Sequence, residues 1–501
     1  VIADKIDDIV SLDPAESFEF SGNDALNNVY DRLIEIDPTT MKLKPGLAES
    51  WSVADDGKTY TFKIHQGLKF HSGNPVTAED CAWSLQRAVK LNKTPAFILT
   101  QFGFTPDNVG QMIKATGDHE LQITTDKAYA PSFFYNILTA IVASVVDKKE
   151  ALSHEQNGDM GYNWLKTHSA ASGPFMLRAW KPNDSLVLEK PEGFDYFNGK
   201  VAMRRVYVRH VPESSAQRLL LEKGDIDIAR RLTPGDVEAV SKNPDIKVKE
   251  EVRGRIFYLA GNQKDEILSK PKVMEAIKYA IDYDGMVNSF LKGQMKVHQS
   301  FLPEGFLGAI DDNPYKLDIA KAKELLKEAG YPNGFDVTLW VRNDQQRLDM
   351  AQSIQATLGQ AGIKVTLKTG TGSEILGDFR ARKQQLILEA WGPDYPDPQT
   401  NASTFASNAN NSDEAKLTGV LAWRTAWAAK ETTPMVEAAV VEKDSDKRAK
   451  MYEDMQRMMQ KDSPFAWMFQ EIAQSAMRKN VNGFTAGGAL SSAFYWPVTK
   501  Q

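Results

Sequence analysis

The spacing of apolar and polar positions changes character along the chain. In the first part, Tyr60-Thr61-Phe62-Lys63-Ile64 alternates apolar and polar residues, the two-residue period of a half-buried strand, and Gly57 and Gly67 bracket it as turns. Thr77 then precedes Ala78-Glu79-Asp80, a capping-box spacing with Asp80 in place of the usual Glu, so a helix is predicted to start there. Ser185–Lys190 and Arg205–Arg209 read as strands, and Ala216–Lys223 reads as a helix that Gly224 ends. Asp225–Ala229 alternates again. Later the period switches repeatedly between 3.6 and 2. Asp318 is placed to cap a helix with apolar positions Ile319, Ala322, Leu325, Leu326 and Ala329, and Gly330 and Pro332 stop it. Phe335–Val341, Ile363–Leu367 and Leu386–Trp391 read as strands with helices between them, the first spanning about Gln345–Gly359. The reading is therefore strand-rich and mixed early, and alternating β–α late, as in an α/β layer.

The longest apolar run, about Ile137 to Val146, is interrupted by Thr139 and Ser144 and is too short to span a bilayer, so it reads as a buried helix segment. A length of 501 residues implies more than one domain. No Ser/Gly/Pro-rich linker or internal repeat occurs, so two lobes would be joined by structured crossings. A net charge of −6 weighs against a nucleic-acid binder, which would carry a basic face. The one cysteine, Cys81, has no disulfide partner and falls in Glu79-Asp80-Cys81-Ala82-Trp83, where a buried small hydrophobe is expected. A long exported chain without disulfides suits a periplasm, where size supplies stability. The chain opens at Val1 with no secretory signal and no nearby cysteine, the pattern expected of a processed exported protein without a lipid anchor.

Catalytic signatures are missing. Gly57-Lys58-Thr59 resembles the end of a phosphate loop, but Ser52 stands where the first glycine is required. No Gly-x-Ser-x-Gly occurs. The seven histidines are scattered, and the close pair His65 and His71 has no third ligand beside it, so no metal site and no cofactor is expected. A carbohydrate hydrolase stays open as an alternative, because its carboxylates and tryptophans follow no fixed motif.

Several segments, in order, carry a resemblance. They are Leu12-Asp13-Pro14, Tyr30-Asp31-Arg32-Leu33, Lys44–Trp51, the stretch from Asp55 through Gly67-Leu68-Lys69-Phe70-His71-Ser72-Gly73 to Asp80, Ser172-Gly173-Pro174-Phe175, Pro271–Asp282, Leu317–Tyr331 with Asn333-Gly334-Phe335, and Trp391-Gly392-Pro393-Asp394-Tyr395-Pro396-Asp397-Pro398. Together they resemble family 5 of the extracellular solute-binding proteins, the peptide-, nickel- and opine-binding proteins of ABC importers. The resemblance implies an α/β, two-lobed periplasmic-binding-protein (venus-flytrap) fold of type II. Lobe I would take residues 1–259 and 470–501, with an extra subdomain at 46–168. Lobe II would take 260–469, with crossings near 257–262 and 467–471. It implies a monomeric periplasmic protein, not an enzyme, that closes its lobes over a small ligand and docks on a membrane permease. A short peptide or an amino acid–sugar conjugate such as an opine is the expected ligand, with an oligosaccharide or metal chelate as alternatives.

The resemblance also points to residues. Asp394 is the acidic residue that pairs with the ligand's ammonium group in peptide binders. Independently, a carboxylate following Gly392 and Pro393 at a strand's C-terminal end is held in a tight turn at a crevice, although turn capping is the competing reading. Asp397, before a proline, reads as structural. Arg380 matches an arginine that meets a carboxylate in dipeptide binders, and Arg382 lies near enough to be confused with it. Both have the alternative of a solvated helix-end charge. Trp391 and Tyr395 read as ligand-packing or core. Ser21, Asn23 and Asp24, expected to precede the helix carrying Tyr30, could line lobe I or cap that helix. Leu421-Ala422-Trp423-Arg424-Thr425-Ala426-Trp427 departs from the family pattern. Trp423 and Trp427 at four-residue spacing are predicted to share a helix face beside Arg424, as a patch for a sugar-like or acidic ligand or as a core stripe.

Overall fold

A computed structural model describes residues 1–37, 42–488 and 492–501. The chain forms two compact units, one of residues 1–251 with 473–501 and one of residues 252–472. It passes between them twice, each time within a strand: Ile246–Gly261 and Phe465–Arg478.

In the first unit, the sheet order is Met176–Lys181, Ser185–Glu189, Arg205–His210, Ile2–Asp4, Ile228–Ala229 and the end of Phe465–Arg478. Ile2–Asp4 runs parallel to both of its neighbours. The alternation over Asp225–Ala229 gives only a two-residue strand, because its partner offers two pairs, Ile228 with Met477 and Ala229 with Ala476. A second sheet joins Ala48–Val53, Thr59–Ile64, Glu120–Thr124 and Ile113–Gly117. In Thr59–Ile64 the apolar Tyr60, Phe62 and Ile64 are buried, as the period-two pattern requires. Helix Ala78–Leu91 starts with the reciprocal Thr77/Asp80 capping box, and Cys81 is buried on it. Burial pushes the Cys81 thiol well above its ordinary value.

The apolar run from Ile137 to Val146 is buried throughout but is not a helix. The helix Pro131–Ile137 ends where the run begins, and a single 3-10 turn, Ile141–Ala143, follows. Backbone partners from elsewhere remove the need for helical bonds: Val145 N–H donates to Asp31 O at 2.9 Å and Val146 N–H to Ser84 Oγ at 2.9 Å.

In the second unit the order is Ile363–Gly370, Phe335–Arg342, Leu386–Trp391, the 252–261 part of Ile246–Gly261, and the 465–472 part of Phe465–Arg478, which also pairs with Met295–Val297. The first three strands are parallel. Side chains alternate between two differently furnished faces. Leu339, Val341, Leu386 and Leu388 enter an aliphatic core with Val273, Ile277, Leu326 and Ile354, supplied by the helices Pro271–Tyr279, Ile319–Glu328 and Gln345–Gln360. Asp318 caps Ile319–Glu328 through the Lys321 N–H at 2.8 Å. Tyr258, which pairs with Glu389 in the sheet register, belongs to an aromatic cluster instead: its ring lies 5.3 Å from Phe405, and Phe405 lies 5.1 Å from Phe465.

Candidate ligand-binding site

Because Phe335–Arg342 and Leu386–Trp391 run parallel, their C-terminal ends lie side by side. That edge is where an open α/β sheet presents its ligand-facing loops. Arg342 closes one strand, and Trp391-Gly392-Pro393-Asp394 leads out of the other. The loop is pinned from behind. Asp394 N–H donates to Thr400 Oγ1 at 3.0 Å, and Asp397 is fully buried in a two-pronged pair with Arg448, each contact 2.7 Å. Asp397 is thus the structural member of the pair of aspartates.

Asp394 is different. Its side chain is half-buried, and no hydrogen bond or ion pair reaches its carboxylate among the described residues. Desolvation alone pushes it up to about 7. A carboxylate held in that state gains most from a cation brought to it.

Around it, Trp391 is partly buried, donates Nε1–H to Asn401 Oδ1 at 3.1 Å and lies 6.4 Å from the Phe405 ring. Tyr395 is buried. Glu389, on the same strand, is taken by Arg342 through two bonds of 2.5 and 2.9 Å. Sequence reading passed over Glu389, Arg342 and Tyr258. The signal for Glu389 is a carboxylate inside the otherwise apolar run Leu386-Ile387-Leu388-Glu389-Ala390-Trp391, which only a buried partner would tolerate.

The two arginines next to each other in sequence separate cleanly. Arg380 is exposed, at the end of helix Gly372–Arg380, where a cation suits the helix dipole. Arg382 is buried, with a positive φ of 58°, and its guanidinium donates to Asn411 O, Asn411 Oδ1 and Asp413 while lying 4.5 Å from the Trp423 ring.

The expected shared helix face of Trp423 and Trp427 does not form. Helix Leu421–Arg424 is one turn long, and Ala426 turns to a φ of +56°. Trp423 is buried on Arg382 and donates Nε1–H to Ser412 O at 2.8 Å. Trp427 faces Phe465 at 6.4 Å and borders a cavity of about 500 Å³ with Lys430, Thr432, Met459 and Asp462. Neither Asp394 nor Arg424 lines that cavity. Arg424 is buried, its Nε–H donates to Thr418 O at 2.6 Å, and its guanidinium lies 5.3 Å from the Phe379 ring. Burial brings it down to about 10, with the like charge of Arg380 adding to the effect and Tyr258 opposing it.

In the first unit, Ser21, Asn23 and Asp24 lie inside helix Phe20–Leu26 rather than ahead of it, and Tyr30 falls beyond its end. Its N-cap is Glu19, with no side-chain cap, so none of the three caps it. Ser21 is buried and donates to Lys5 O at 3.2 Å; Asn23 is partly exposed and accepts from Ser17 at 3.4 Å. Asp24 is committed to Arg230 at 2.7 Å and to the Ala493 N–H at 2.8 Å. Of the three, Asn23 keeps the most open side chain.

Among the described residues, no cluster of three or more His, Cys, Asp or Glu is arranged to hold a metal, and no helix is long and apolar enough to cross a membrane.

Comparison with known proteins gives this arrangement its context. The family model "Bacterial extracellular solute-binding proteins, family 5 Middle" matches residues 42–413. The probable D,D-dipeptide-binding periplasmic protein DdpA of Escherichia coli K12 is 29% identical, over 99% of this chain and 93% of its own length. Among solved structures, the periplasmic binding protein DppA of Helicobacter pylori in complex with the peptide STSA superposes with a TM-score of 0.83 at 24% identity, covering 100% of this chain and 98% of the other. AgaA of A. tumefaciens R10 in complex with agropinic acid superposes with a TM-score of 0.78 at 22% identity, covering 100% and 98%. The fold is thus that of the two-lobed periplasmic binding proteins of type II. The chain belongs to family 5 of the bacterial extracellular solute-binding proteins, whose members are periplasmic and serve ABC importers.

Proposed function

We propose that this protein is a monomeric periplasmic binding component of an ABC importer that captures a small zwitterion, a short peptide or an amino acid–sugar conjugate of the opine type, and delivers it to a membrane permease without chemical change. The observation that carries this reading is the unpaired, desolvated carboxylate of Asp394 at the C-terminal edge of a parallel sheet. A ligand ammonium would restore the ionised carboxylate and gain a charge-assisted hydrogen bond there. Trp391 and Tyr395 would flank the ligand from the same loop, and Arg380 supplies an exposed cation nearby in sequence. A short peptide presents an ammonium, and both ligand classes have a precedent among the similar proteins, which are named for dipeptides or solved with a peptide or agropinic acid. Trp423, which packs on Arg382, and Trp427, Ser21 and Asn23 are weaker candidates for contact.

The test is native mass spectrometry of the purified protein with identification of released small molecules, followed by calorimetric titration of the identified ligand into Asp394→Ala. The variant is expected to fold with an unchanged circular dichroism spectrum and to bind at least about 100-fold more weakly, the scale of a lost buried charge pair. Unchanged affinity would remove Asp394 from the site.

A further inference from the structure

We propose that Arg424 forms a receiving site for a carboxylate of the ligand, with the Tyr258 hydroxyl as a second donor. The proposal deepens the ligand-binding reading above and rests on it. Eight arginines are buried among the described residues, and seven of them have a carboxylate within 4.0 Å. Arg424 is the exception: among the described residues, no acidic side chain lies within salt-bridge distance of it. The carboxylate that acts on it most strongly, Glu389, is already taken by both prongs of Arg342.

The guanidinium is nonetheless held in one orientation. Its Nε–H is tied to Thr418 O at 2.6 Å, its own backbone carbonyl accepts from Gln384 Nε2 at 3.0 Å, and the Phe379 ring lies 5.3 Å from its centre. The two terminal nitrogens therefore form a fixed fork with no acceptor among the described residues, and they are not among the fully enclosed unpaired polar atoms described. Tyr258 is in the same condition. The residue is buried, yet its hydroxyl has no hydrogen bond among the described residues and is not fully enclosed either. A fork of N–H donors matches the two oxygens of a carboxylate, and a further O–H donor would add to it. An uncompensated buried cation costs several kcal/mol, which is tolerated where an anion is supplied from outside the chain. Arg380 adds further positive charge near it, while the charge of Arg342 is matched by Glu389.

The intact protein would be titrated with succinate and, separately, with inorganic phosphate, following the thermal transition and the calorimetric heat. The same titrations would be run on Arg424→Met, Arg424→Lys, Tyr258→Phe and Asp394→Asn. Succinate is expected to stabilise the wild type and Asp394→Asn alike, to bind Arg424→Met at least about tenfold more weakly, and to bind Arg424→Lys and Tyr258→Phe with intermediate affinity. Ligand-free Arg424→Met is expected to melt no lower than wild type, since it removes an uncompensated charge; a merely structural arginine would give a lower transition. Two results would overturn the proposal: no succinate binding by the wild type at tens of millimolar, or equal binding by wild type and both Arg424 variants. Phosphate binding without succinate binding would also overturn it, because it would mark a general anion site and not a carboxylate fork. If Asp394→Asn leaves the affinity for the natural ligand unchanged, the ammonium reading falls, and the succinate data still decide Arg424 by themselves.

Discussion

A carboxylate raised to about 7 makes Asp394 a measurable pH sensor of its own environment. Its ordinary value is 3.8, so between roughly pH 4 and pH 7 the unfolded chain carries the charge while the folded protein holds the proton. A raised group of this kind contributes stability that is complete below the lower value and is lost as pH rises through the higher one. Ligand-free protein should therefore lose stability on this account from pH 4 to above pH 7, by at most about 4 kcal/mol. Asp394→Asn should remove that slope: equal melting at pH 4, but a higher transition than wild type at pH 8, with ligand affinity lost. Parallel melting curves of the two proteins across that range would show the effect to be absent. Affinity for an ammonium ligand should run the opposite way, rising with pH through about 7 as the carboxylate ionises. The family resemblance points to this residue, and the strand, Gly392 and Pro393 beside it in the chain agree with that reading. The sequence could not separate Arg380 from Arg382. What sets their fates is Asn411 and Asp413, about thirty residues downstream, which capture Arg382 and leave Arg380 exposed. The same distance effect hid Tyr258, whose relation to Glu389 exists only through the sheet register.

Elements with their stop and start signals written locally were legible, and those shaped by distant partners were not. The Thr77/Asp80 box, the Asp318 cap and the parallel strands around Leu386–Trp391 follow from residues within a few positions of one another. The Leu421–Trp427 segment has helical spacing, but its turn at Ala426 is fixed by bonds from outside: Asn411 Nδ2 donates to Ala426 O, Asn408 Nδ2 to Trp427 O, and Gln263 N–H to Thr425 O. The helix Ser445–Asp462 holds the Asp394 loop by the same kind of distant bond. From it, Arg448 reaches Asp397 with two prongs, Ala439 O at 2.9 Å and the Tyr452 hydroxyl at 3.2 Å; that hydroxyl donates to Gln399 Oε1 at 3.0 Å. Removing only Arg448 would leave a buried, uncompensated carboxylate. Arg448→Met is therefore expected to cost about 3–5 kcal/mol in chemical denaturation. The double variant Arg448→Met with Asp397→Leu should recover a substantial part, because the stranded charge goes too. A double variant as unstable as the sum of the two single ones would mean that the pair contributes through packing and not through charge compensation.

For the whole molecule, composition marks no joint between the units, since the boundary at 251/252 falls inside the continuous strand Ile246–Gly261 and no linker residues surround it. The consequence is an asymmetry in how the two units are built from the chain. Residues 252–472 are one continuous piece, and the aliphatic core under its sheet draws only on that piece, from Phe257 to Phe469. The other unit is discontinuous, and its C-terminal contribution is not peripheral. Met477, Val481, Phe484, Tyr495 and Val498 enter its core; Ile228–Ala229 pairs with residues 476 and 477; and Asn28 bonds the backbone of Ala493 and Tyr495 at 2.9 and 2.7 Å. Residues 252–472 expressed alone should therefore fold to a cooperative thermal transition, since a domain with its own core can fold independently. Residues 1–251 alone should lack one, because apolar burial of several large side chains, each worth about 1.5–3 kcal/mol, is missing together with its hydrogen-bonding partners. Joining residues 473–501 to residue 251 through a short flexible connector should restore the transition. Circular dichroism melts of the three chains decide it: a cooperative transition in 1–251 alone would show that its core does not need residues 473–501, and none in 252–472 would show that this core depends on the rest of the chain.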